Sequence, residues 1–194
     1  MGNIRRSRGY NFEYSLVQRF NGTPGWQARR LGGSSTGLPD IVVVNNDLSI
    51  LLAIEAKSGT GDILYVPPDQ IARCLTIRNM FAAYRERRII FAFKFLSKKR
   101  YRRGKQTVYE QRRLVEYYKV ADSIYGKRDL PIVKCTYDGR TFLLSKNKNI
   151  EINLPTYDMP FDKIVAKARR SKKLLAPKVP ADISPFETTS SPLN

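Results

Sequence analysis

Three carboxylates and one amine are spaced so that they could act together. Asp40 follows Pro39 at the start of the apolar run Ile41–Val44, and Glu55 and Lys57 close the run Ile50–Ala56. Asn45-Asn46-Asp47 lies between the runs, which predicts an antiparallel hairpin whose outer ends meet. Glu55 and Lys57, two residues apart, share one face of their strand, and Ala56 points the other way. Two carboxylates gathered there, with a backbone carbonyl such as that of Ala56, offer hard oxygen ligands to Mg²⁺, with Mn²⁺ as a substitute. Such an ion polarises a phosphodiester and acidifies water. The Lys57 ammonium could orient that water or stabilise charge on the phosphate. Glu13 adds a third carboxylate upstream, on a helix face shared with Leu16, Val17 and Phe20. A carboxylate there needs a partner, and an ion or its water would serve. The plainer alternatives are a carboxylate favoured by the helix dipole for Glu13 and a same-face salt bridge for Glu55 and Lys57. The joint pattern in a strongly basic chain favours the metal reading.

The chain contains no histidine. This excludes Ser-His-Asp triads, Cys-His pairs, His-ligated zinc and a histidine base. Cys74 and Cys135 are far apart in sequence and read as ordinary thiols, one of them in a helix core. Lysine and arginine number 35 against 17 acids, a net charge of +18. Residues 161–194 hold seven bases and three acids, leaving +14 for residues 1–160. A body this positive expects a polyanion, and nucleic acid is the leading candidate because neutralising phosphates releases counterions. No apolar stretch approaches the roughly 18 residues of a membrane span, and the start lacks a signal core. A soluble, cytoplasmic, nucleoid-associated protein is expected.

The elements that must position these residues follow from periodicity and punctuation. Phe12, Leu16 and Phe20 predict a first helix over Gly9–Phe20, stopped by Asn21–Gly25. Trp26–Leu31 reads as a first strand, and the flexible loop 32–37 precedes the hairpin. The hairpin runs are continuously apolar, as in strands covered on both faces. Pro67 and Pro68 open a second helix reaching about Tyr84, and Arg88–Leu96 is a fourth strand. Lys98–Lys105 is a projection with six bases around Tyr101 and Gly104, and a solvated loop is its plainer reading. Val115–Val120, Ile132–Tyr137, Thr141–Leu144 and Ile150–Leu154 read as further strands, with a turn at Asp138-Gly139. The expected fold is α/β, a central mixed sheet flanked by helices, with the active site at the sheet edge formed by strands two and three. Residues 1–8 are expected to be a flexible basic arm, 9–160 one domain carrying this site with a basic insertion after 97, and 161–194 a disordered basic tail rich in Pro and Ser.

Pro39-Asp40 followed by Glu55-Ala56-Lys57 resembles the Pro-Asp…Asp/Glu-x-Lys nucleases of the restriction-endonuclease-like fold. The ordered set is similar more specifically to the archaeal Holliday junction resolvase family. That set is Arg8-Gly9 before Glu13, Arg30 before Gly32-Gly33-Ser34, the strand Ile54–Lys57, then Leu64-Tyr65-Val66 and Ala92–Leu96. The resemblance covers about residues 5–97. It implies that Glu13, Asp40 and Glu55 are metal ligands and that Lys57 is the catalytic amine. It implies that Ser34, or Ser35 in the alternative register, sits near the scissile phosphate. It further implies a symmetric homodimer that cuts two strands of a four-way DNA junction and leaves 5′-phosphate ends. The family has Arg directly after the helical Glu, where this chain has Tyr14. Phosphate contact then falls to Arg8, Arg19 or Arg30, and Lys98, Lys99, Arg100, Arg102 and Arg103 could track a DNA arm. Two other readings remain open: a restriction-like or repair endonuclease on duplex or flap DNA, and a non-catalytic basic nucleic-acid-binding protein.

Overall fold

Ile50–Gly59 is almost wholly apolar up to Glu55, and it forms the middle strand of the main sheet. The computed structural model describes residues 4–32, 37–104, 106–124, 129–145 and 148–162. In chain order the elements are α1 (Ile4–Asn21), β1 (Gln27–Arg30), β2 (Ile41–Asn45), β3 (Ile50–Gly59), β4 (Ile63–Val66), α2 (Pro68–Met80), β5 (Glu86–Phe95), β6 (Lys98–Arg103), β7 (Gln106–Gln111) and β8 (Val115–Val120). A 3-10 turn (Asp122–Ile124) follows, then β9 (Ile132–Thr136), β10 (Thr141–Ser145) and β11 (Lys148–Ile152).

The main sheet has the order β1-β2-β3-β5-β8. β3 and β5 run parallel, in register from Ile50↔Glu86 to Gly59↔Phe95, with α2 as the crossover between them. The remaining pairings in this sheet are antiparallel. The sheet is therefore mixed and flanked by helices, as expected. Strands two and three are not its edge, however. β5 adds to the far side of β3 and β8 lies beyond it, while β1 covers β2. A strand apolar on both faces belongs inside a sheet, and β3 is such a strand.

Alternate residues of β3 and β5 feed two cores. Ile54, Ala56, Ile90 and Ala92 pack against Phe12, Leu16 and Phe20 of α1. Leu51, Ala53, Phe91, Phe93 and Phe95 pack against Ile71, Cys74 and Ile77 of α2. The second core also takes Val66, Val133, Cys135 and Leu143 from a four-stranded antiparallel sheet of order β11-β10-β9-β4. The strand β4 at its edge was not anticipated.

α1 begins at Ile4, five residues before the expected start; the helix runs through Gly9, which costs about 1 kcal/mol in a helix interior. α2 stops at Met80, where Phe81 leaves helical geometry, rather than at Tyr84. The basic stretch after residue 97 is not a loop. It is β6 of a two-stranded antiparallel hairpin with β7. The expected turn at Asp138-Gly139 joins β9 to β10; Gly139 has φ +83°, and a side chain there would meet the Tyr117 ring at 2.7 Å. No helix of the described residues is long and apolar enough to cross a membrane.

Candidate active site

The β2–β3 register, Ile41↔Ile54, places Asp40 beside Glu55 at the open end of the hairpin. Asp40 Oδ2 accepts a hydrogen bond from the Ala56 N–H at 2.9 Å, which fixes the carboxylate against the neighbouring strand. Glu55 and Lys57 point to the α2 side, opposite Ala56, as strand alternation requires. The Lys57 ammonium lies 2.5 Å from Glu55 Oε1, 3.8 Å from Asp40 Oδ2 and 3.4 Å from the Ala56 carbonyl oxygen. Three oxygens thus converge on one cationic nitrogen.

Glu55 is 1% exposed. Burial pushes its carboxyl up to about 7, with the Asp40 charge adding to the rise and Lys57 opposing it. Two carboxylates share one ammonium, so this pocket holds more negative than positive formal charge. Cys74 of α2 is buried and close enough to feel both carboxylates, and its thiol is held well above the ordinary range, chiefly by burial. Both cysteines are buried free thiols.

Glu13 approaches from the other side of the sheet. Its carboxylate accepts from Arg30 of β1, and Arg30 is also stacked over Tyr10 at 4.8 Å. Glu13 still senses Asp40 and Lys57 electrostatically, and burial raises its pKa. The partner that an apolar-face carboxylate requires is therefore Arg30. Among the described residues, no three His, Cys, Asp or Glu side chains stand close enough to hold an ion. The convergent oxygens are two carboxylates and one main-chain carbonyl.

The basic candidates divide clearly. Arg19 is committed to Glu116 at 2.7 Å and lies over the Phe161 ring at 4.0 Å. Glu116 also receives Lys94 at 3.0 Å and the Tyr118 hydroxyl at 2.5 Å; burial works against its charge, but these hydrogen bonds prevail and lower its pKa. Lys98, Arg100, Arg102 and Arg103 are exposed on β6. Lys99 instead binds Asp62 at 2.8 Å. Arg8 lies in α1, its side chain outside the described part, and Ser34 and Ser35 lie outside the described residues.

Sequence reading passed over Arg112. Its guanidinium donates to the Leu96 and Gly61 carbonyls, each at 2.9 Å, and to Asp62 at 2.7 Å. It ties the base of the β6–β7 hairpin to the β3–β4 turn, two residues beyond the end of β3. The signal available was an arginine at the end of a strand, too common to single out.

The family profile described as archaeal Holliday junction resolvase (Hjc) matches residues 4–119, more than half of the chain. Among solved structures the chain is similar to Archaeoglobus fulgidus Hjc, a Holliday junction resolvase from an archaeal hyperthermophile. The identity is 20%, over 74% of this chain and 85% of that one, with a TM-score of 0.43. No curated protein matches.

Proposed function

The chain belongs to the archaeal Holliday junction resolvase family, and from that premise we propose that it is a divalent-metal-dependent endonuclease cutting two strands of a four-way DNA junction as a homodimer. The observation that carries this reading is the convergence of Glu55 Oε1, Asp40 Oδ2 and the Ala56 carbonyl on one cationic point at the end of β3. The donors are hard oxygens, two carboxyl groups face a single ammonium, and the position already accepts a cation. They suit Mg²⁺ or Mn²⁺.

Asp40, Glu55 and the Ala56 carbonyl would hold the ion, with Glu13 completing the set if it exchanges Arg30 for the ion's water. The ion's contribution is to polarise a phosphate oxygen and acidify a water. Lys57, displaced from between the carboxylates, places its ammonium beside the phosphate and orients the attacking water. The water oxygen bonds to phosphorus as it gives up a proton to solvent, the P–O3′ bond breaks, the 3′ oxygen takes up a proton from solvent, and the phosphate stays on the 5′ end. Ser34, or Ser35, is assigned to the loop beside the scissile phosphate. Arg8 and the exposed bases of β6 contact flanking phosphates.

The test is cleavage of an immobile four-way junction with Mg²⁺ and then with EDTA, beside a linear duplex of the same sequences. Cleavage of the junction alone, abolished by EDTA, is expected. Equal rates on junction and duplex would sink the junction assignment and favour a restriction-like or repair nuclease.

A further inference from the structure

Tyr10 and Tyr14 are 49% and 52% exposed on one edge of α1, a large apolar display for a chain with a well-filled core. They stand one helical turn apart. Their rings are parallel to within 7°, with centroids 6.2 Å apart. Arg30 lies over the Tyr10 ring at 4.8 Å and bonds Glu13, three residues along the same helix. Arg30 pairs with Ile41, next to Asp40. Tyr10 is therefore linked through Arg30 to Glu13 and to the strand paired with the one that Asp40 precedes, and Tyr14 stacks beyond Tyr10.

We propose that Tyr10 and Tyr14 form a stacking platform for a base at the branch point of the DNA. The inference rests on the nuclease reading above. Parallel aromatic rings next to arginine, on a chain of net charge +18, suit a nucleobase: the rings take its π-face and the cation takes its phosphate. In linear duplex every base face is closed by its neighbours. At a branch point stacking is interrupted and a face can be offered. The platform therefore gives the site a way to sense branching that phosphate contacts, blind to base stacking, lack.

The test uses the full chain without divalent cation, a four-way junction carrying 2-aminopurine at the branch point, and a linear duplex of the same sequence. Wild-type protein should quench the 2-aminopurine and prefer the junction. The double variant Tyr10→Leu/Tyr14→Leu should lose the quench and bind the junction about 5- to 150-fold more weakly, with duplex affinity changed less than about twofold. Tyr10→Phe/Tyr14→Phe should restore both. Undiminished quenching and junction affinity in the leucine variant would overturn the platform. Parallel losses on junction and duplex would overturn it too, by showing ordinary backbone contact. A smaller sedimenting species for the leucine variant would overturn it by assigning the tyrosines to a second copy. A wild-type protein with no preference for the junction would instead overturn the resolvase reading itself.

Discussion

Two hairpins of this molecule handle charge in opposite ways. The β2–β3 hairpin turns its charges inward at its open end: Glu55 is buried, Asp40 is pinned by a main-chain N–H, and one ammonium serves both. The β6–β7 hairpin turns its charges outward. By strand alternation and register, Lys98, Arg100 and Arg102 share a face with Thr107, Tyr109 and Gln111, and no acid interrupts it. The opposite face carries Lys99, bonded to Asp62, and Glu110. Inward charge is expensive, and it perturbs pKa values as reactive groups require. Outward charge is inexpensive and screened, suited to gripping a polyanion at a distance. Both hairpins belong to the same end of the sheet, since Gly59 and Phe95 are in register and the basic hairpin starts three residues past Phe95.

The contrast can be broken at several points. The largest effect is expected from Glu55→Gln. Single-turnover junction cleavage with Mg²⁺ should fall by about 10³-fold or more, while junction affinity in EDTA is retained. Joint loss of binding would place Glu55 among the fold's supports only. Next, replacing Lys98, Arg100 and Arg102 together by glutamine should lower the slope of log affinity against log salt by close to 3. An unchanged slope would mean that this face does not meet phosphate. Third, Arg112→Ala should speed amide exchange in residues 98–111 by about tenfold or more, since it frees three hydrogen-bonded groups at the hairpin base.

A smaller effect concerns pH. The Glu55 pKa is raised in the folded protein, so the native state holds that proton more tightly than the unfolded chain does. The penalty for ionising it is absent below about pH 4.5 and fully present above about pH 7. Without metal, wild type and Glu55→Gln should therefore melt together at pH 4 and diverge as pH rises, the variant more stable by about 1–3 kcal/mol, several degrees in Tm. Saturating Mg²⁺ should narrow that gap. The smallest effect separates the two faces of one strand: Lys99→Gln should change the salt slope less than Lys98→Gln does.

The β2–β3 hairpin was legible because it is local. Asp40, Glu55 and Lys57 sit within eighteen residues, and the strand period alone fixes their faces. Glu13 was harder. Its helix face was readable, but its partner Arg30 comes from another strand, and no period in the sequence links the two. The basic stretch after residue 97 read as a projection, but its strand pairing was hidden for a different reason. Lys-Lys-Arg-Tyr-Arg-Arg has no apolar alternation, because neither face of that hairpin is buried enough to demand one. The central place of β3 was also hidden. The parallel partner β5 arrives only after β4 and α2, and a continuous apolar run does not say which strand lies beside it.

The parallel pairing of β3 with β5 has a consequence in time. Pairs such as Glu55↔Phe91 join residues far apart in sequence, so they close late, after the entropy of a long loop has been met. The β2–β3 hairpin can form without them, with its acids still hydrated and its lysine free to wander. Glu55 is buried in the completed fold, where Phe91 of β5 pairs with it. A chain that holds only the local hairpin therefore has these residues without their buried setting, which the long-range pairing supplies.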